Sequence, residues 1–154
     1  MNTVVITIAV VGILGAAIIY GTDLFCALVV RPAASDAADA SVADLIGRIH
    51  EYGDRRLPVP GVASVIAAVV AVALGDSAPA RIGAATALLA LLAWLAVYLR
   101  ISAPINTRLR AAAAGHTVPV DTRELQQRWD RVIWLRAALQ TIALGGLLAV
   151  IVAH

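Results

Sequence analysis

Two charged side chains stand inside apolar runs of this sequence: Asp23, in Ile19-Tyr20-Gly21-Thr22-Asp23-Leu24-Phe25, and Arg136, in Ile133-Trp134-Leu135-Arg136-Ala137-Ala138-Leu139. A charge in hydrocarbon costs a few kcal/mol and normally turns inward to a partner. Asp23 lies eight residues before Arg31 and Arg136 five residues after Arg131, so each sits at a comparable depth inside its run. The two are expected to pair, either as a structural ion pair that fixes helix packing or as a substrate or proton site. Trp129, Arg136 and Gln140 are seven and eleven residues apart, which puts them within about 20° of one line on a helix. One helix face thus carries an indole donor, a guanidinium and an amide, and Asp23 and Tyr20 on another helix are placed to face the same space. Together these groups favour a functional pocket inside an otherwise apolar bundle over side chains that only bind neighbouring helices. His50 reads as a solvated residue of a loop helix, and with Tyr52, Asp54 and two arginines close behind it, it is a better candidate for chemistry than His116. The catalytic candidates are therefore Asp23, His50 and Arg136.

Other chemistry is poorly served. The single cysteine, Cys26, allows neither an intrachain disulfide nor a cysteine-only metal site, and its apolar surroundings mark it as a packing residue. No nucleophile, phosphate-cradling or metal-binding motif is present. The apolar runs hold too few His, Cys or carboxylate ligands for a metal or haem, so no metal and no cofactor are expected.

The elements that position these residues follow from composition. Of 154 residues, 61% are apolar and 14% charged, and mean hydropathy is +0.88, whereas soluble domains are nearly a quarter charged. The length suits one domain, residues 1–154, built as an all-α four-transmembrane-helix bundle with a short amphipathic loop helix. The expected spans are about 4–30, 61–74, 82–101 and 131–153. The first is too long for the apolar region of a signal peptide and reads as a retained anchor that Arg31-Pro32 ends. Ser41-Val42-Ala43-Asp44 has the form of a capping box, and Val42, Leu45, Ile46, Ile49 and Tyr52 recur at helical spacing behind it. That amphipathic helix should lie at the membrane surface or against the bundle. Pro58-Val59-Pro60-Gly61 opens the second span, and Gly75-Asp76-Ser77-Ala78-Pro79 is a tight turn into the third. Pro104 follows the third span, with the helix resuming to Ala114 and stopping at Gly115. Asp121-x-x-Glu124 then starts a last helix of more than 30 residues, ~45 Å long.

Net charge is +2, from twelve arginines and no lysine against ten acids. The arginines mark helix ends and do not form one solvated face, which argues against nucleic acid. Ten of them fall in two regions, after the first span and between the third and fourth, against Arg81 alone in the hairpin turn. This bias places those regions in the cytoplasm and both termini on the other side of a plasma (inner) membrane. The expected partners are the lipid bilayer, a hydrophobic aromatic small molecule, and a second copy or another membrane protein.

The segments Ala103-Pro104-Ile105-Asn106-Thr107-Arg108-Leu109 and Arg128-Trp129-Asp130-Arg131-Val132-Ile133-Trp134-Leu135-Arg136 resemble the anthrone oxygenase-like family of small four-helix membrane proteins. Val29-Val30-Arg31-Pro32-Ala33 and Asp54-Arg55-Arg56-Leu57-Pro58-Val59-Pro60-Gly61 extend the likeness. The resemblance implies that Asn106, Trp129, Arg131 and Arg136 line a common site; Tyr20 and Gln140, placed by the helix faces alone, are the further substrate-binding candidates. It also implies oxidation of a polycyclic hydroxyaromatic by O₂ without metal or flavin. Many members carry a histidine where this chain has Ile133, so that base would here be Asp23 or His50. The alternative is a non-catalytic structural or binding subunit of a membrane complex, in which the buried polar groups only hold helices together.

Overall fold

The computed structural model describes residues 3–153, and every regular element among them is helical. The described residues form five helices: α1 (Thr3–Asp36), α2 (Asp39–Arg56), α3 (Pro58–Leu74), α4 (Ala78–Ala114) and α5 (Thr122–Val152). Of these, α1, α4 and α5 are each long and apolar enough to cross a membrane, whereas α2 and α3 reach that measure only together, as a pair bent by 42°. α5 packs along α4 and α1, α1 packs on α3, and α3 on α4, while α2 lies against the last part of α4. Met1, Asn2 and His154 lie outside the described residues.

Arg31-Pro32, expected to end the first helix, does not, and Pro104, after which the helix is expected to resume as far as Ala114, makes no break at all. α1 continues to Asp36 and α4 to Ala114. In both cases a π turn precedes the proline at the same offset, Cys26–Val30 before Pro32 and Tyr98–Ser102 before Pro104. Proline lacks an N–H and its ring clashes with the carbonyl four residues back. A π turn, bonding five residues apart, takes up the extra residue and frees that carbonyl. The Arg31 and Ala103 amides accordingly donate to the carbonyls of Cys26 and Tyr98.

The helix starts differ from expectation too. α2 begins at Asp39 after an uncapped Ala38, leaving Ser41 exposed within the helix and making no capping box. Asp121 precedes α5 but does not cap it, because its carboxylate instead binds Arg108 at 2.7 and 3.0 Å. The four spans expected at about 4–30, 61–74, 82–101 and 131–153 are therefore parts of longer helices, apart from α3, which has 17 residues.

Packing divides the molecule along its length. The half towards the 75–77 turn is built from small residues such as Ala9, Ala68, Ala84, Ala87 and Ala143. Gly83 and Gly146 meet backbone to backbone: a Cβ on Gly146 would stand 2.5 Å from the Gly83 carbonyl oxygen. Ser64 Oγ donates to the Gly12 carbonyl at 3.1 Å, tying α3 to α1. Such close approach is how helices associate where lipid removes any hydrophobic drive between them. The Arg-rich half has larger core residues, among them Ile46, Ile105, Leu109, Leu125 and Trp129. There Arg123 of α5 binds Asp39 and the carbonyls of Ala34 and Ala37, closing off the end of α1.

Candidate functional site

Asp23 of α1 and Arg136 of α5 meet where the two halves join. Arg136 Nη2 donates to Asp23 Oδ1 at 2.6 Å and its Nε to Oδ2 at 3.2 Å, and Trp94 Nε1 donates to the same Oδ2 at 2.9 Å. Arg136 Nη1 donates to Ser102 Oγ at 2.9 Å. The guanidinium carbon also lies 5.2 Å from the Trp94 ring, 5.8 Å from Tyr98 and 5.3 Å from Trp129, within cation–π range. Both charged side chains are buried.

The π turn of α4 helps to build this cage. Four residues of an α-helix overshoot a full circle by ~40°, so Trp94, Tyr98 and Ser102 would drift steadily around the helix. The wider π turn from Tyr98 to Ser102 undoes part of that drift, and all three side chains reach Arg136. The rings of Trp94 and Tyr98 are stacked, 5.6 Å apart and 3° from parallel.

Tyr98 links the pair to a second carboxylate. Its hydroxyl donates to Asp54 Oδ1 at 2.6 Å, Asn106 Nδ2 donates to the same oxygen at 3.0 Å, and Arg110 lies 3.4 Å from Oδ2. Asp54 sits in the last turn of α2, next to the bend into α3. Its bonds fasten that bend to α4.

Between α3 and α4 is a cavity of about 250 Å³. Its walls are largely apolar, its inner end is formed by Asp23, Arg136 and Gln140, and its rim includes Asp54, Leu57 and Tyr98. Val62 and Ile66 line it while being 56% and 57% exposed, so it opens sideways, past α3, into whatever surrounds the apolar half. The volume is slightly below the ~300–1,000 Å³ of drug-sized ligand sites, which suits one small, compact molecule.

The structure gathers some of the candidate residues and separates others. Asp23, Arg136 and Gln140 share the cavity. Trp129 packs on the guanidinium without lining the cavity, and Asn106 acts through Asp54. His50, on α2, is buried against Trp129 with ring centroids 5.5 Å apart and does not reach the cavity. Burial holds its imidazole down to about 4, and its Nε2 has no hydrogen-bond partner among the described residues. Tyr20 is half-buried on α1 and Arg131 exposed on α5, and neither lines the cavity. Trp94, Tyr98, Ser102 and Asp54 take their place. The four-residue spacing of Trp94, Tyr98 and Ser102 was the available signal, and aromatic residues in an apolar run read more readily as lipid-facing. Comparison of the chain with protein-family models, curated proteins and solved structures finds no match.

Proposed function

We propose that the chain crosses the bilayer four times, with α3 as the fourth crossing, and that its cavity draws a flat, small hydroxyaromatic from the membrane and oxygenates it with O₂. The lateral cavity ending on the Asp23–Arg136 pair carries this reading. At 17 residues α3 is at the short end of membrane-spanning helices, and its apolar sequence supports a crossing. An anthrone-type substrate has a methylene whose proton is acidic because the resulting anion is delocalised into an oxyanion. Asp23 accepts three hydrogen bonds of the about four a carboxylate can take, which leaves it one site for that proton. Arg136 has N–H groups beyond the three it uses internally, and these would face the oxyanion. The carbanion passes one electron to O₂, the carbon radical and superoxide combine, and loss of water from the peroxide leaves a quinone. The methylene thereby loses two hydrogens and gains one oxygen atom, and the other oxygen leaves as water.

One observation favours the non-catalytic reading. The acid and the base of this scheme are bound to each other in a two-pronged pair, which is also how a packing clamp between α1 and α5 is built. Oxygen uptake by purified protein with an anthrone separates the two. Oxygenation predicts uptake above the spontaneous rate, reduced about 10²-fold or more in Arg136→Ala under conditions where that variant keeps its helical content. Saturable binding of the anthrone without uptake supports a binding subunit. If the anthrone neither binds nor drives uptake, the pocket reading is discarded.

A further inference from the structure

Arg31, Arg48, Arg55, Arg108, Arg110, Arg123 and Arg136 each have a carboxylate partner, at 3.8 Å for Arg31 and within 3.4 Å for the others. Arg56, Arg100, Arg128 and Arg131 have none among the described residues and are exposed, Arg128 lying a turn further into the Arg-rich half than Arg131. Arg56, Arg100 and Arg131 lie within about two helical turns of the level of the Asp23–Arg136 pair. Arg100 lies between Tyr98 and Ser102, the residues that touch Arg136. Arg131 is five residues from Arg136, ~7.5 Å along α5. Arg56 is two residues beyond Asp54, which is bonded to Tyr98. Two exposed aromatics join them, Trp134 at 48% and Tyr52 at 53%, the latter stacked under Arg56 at 5.1 Å. Arginine beside tryptophan and tyrosine is the side-chain signature of the membrane–water boundary.

The helix lengths measured from this level agree with one another. Going away from the Arg-rich half, α1 from Thr3 to Phe25 and α4 from Ala78 to Arg100 each span ~33 Å, α5 from Trp134 to Val152 ~27 Å, and all of α3 ~24 Å. These bracket the ~30 Å of bilayer hydrocarbon. On the other side of the level α4 extends ~20 Å further, to Ala114, in the half whose core holds the larger side chains.

We infer that Arg56, Arg100 and Arg131, with Tyr52 and Trp134, form a belt that binds the phosphates of anionic phospholipids and sets the membrane surface at the level of the Asp23–Arg136 pair. Three unpaired guanidiniums, exposed at similar depth above apolar helix faces, are complementary to a layer of lipid phosphates. The proposal requires membrane crossing but no chemistry in the cavity. It places the cavity's polar end at headgroup depth and its apolar walls below, so an occupant enters with its polar end towards the surface.

The test uses the full chain in lipid nanodiscs, made of phosphatidylcholine alone or with a third of phosphatidylglycerol. Phosphatidylglycerol should raise the Tm by roughly 5 °C, and the shift should vanish in the triple variant Arg56→Gln/Arg100→Gln/Arg131→Gln, whose altered side chains are all exposed. An equal Tm in both lipids, or a shift that survives in the variant, overturns the belt. So does inorganic phosphate that reproduces the shift in pure phosphatidylcholine discs, since the site would then take a free anion. Depth is read separately in a Cys26→Ala background, where an impermeant maleimide should label Thr107→Cys and leave Leu92→Cys unreacted. Labelling at Leu92, or protection at Thr107, rejects the proposed membrane level.

Discussion

Arg136 is held by its plane as much as by its charge. The guanidinium lies among three aromatic rings while its edge meets Asp23 and Ser102, an arrangement a compact ammonium does not reproduce. Removing one partner of a buried pair leaves the other charge uncompensated, at a cost of ~3–5 kcal/mol. Asp23→Asn should therefore strongly destabilise the bundle, and adding Arg136→Gln should recover part of the loss. Unfolding in mixed detergent micelles measures both. A single variant within about 0.5 kcal/mol of the wild type would mean that the pair does not hold the helices. Asp23 and Arg136 were visible in the sequence because a charge inside an apolar run is too costly to stand there without a partner. Asp54 was not, since an acid in a polar, Arg-rich stretch reads equally well as solvated, and only its bonds to Tyr98 and Asn106 set it apart.

Among the elements, α4 and α5 cross glycine to glycine. A Cβ on Gly146 would stand 2.5 Å from the Gly83 carbonyl oxygen and 2.9 Å from the Ala87 amide nitrogen, whereas one on the neighbouring Gly145 meets nothing within 4 Å. Gly146→Leu should force the two helices apart and lower stability by about 1–3 kcal/mol or more. Gly145→Leu should stay close to wild type because it points into free space. Equal effects of the two substitutions, measured by Tm in the same detergent, would show helix propensity acting in place of the close contact. The π turns before Pro32 and Pro104 act at the same scale, since they let two helices cross the junction of the halves unbroken.

As a whole, the molecule is an apolar half packed through small residues, joined to an Arg-rich half with a more conventional core. The ion pair and the cavity lie at the junction. The arginine bias argues that the Arg-rich half is in the cytoplasm. A reporter active only in the cytoplasm should then be silent when fused after the C-terminal residue and active when inserted at 117–119, between α4 and α5. The reverse pattern would invert the topology, and activity at both sites would mean that α5 does not cross.

The sequence by itself determined the helical class, the apolar character of the three longest helices and the pairing of Asp23 with Arg136. Each of these follows from local cost: apolar runs need helices to satisfy their backbones in lipid, and a charge within them needs a partner. Only the tertiary structure decided that α1 continues past Pro32 and that α4 runs unbroken through Pro104, because the π turns override the local rule that proline stops a helix. It also decided which groups share the cavity. Trp94, Tyr98 and Asp54 come from α4 and α2, and their meeting with Asp23 and Arg136 depends on how α2, α3 and α4 are laid side by side, which no spacing along one helix encodes.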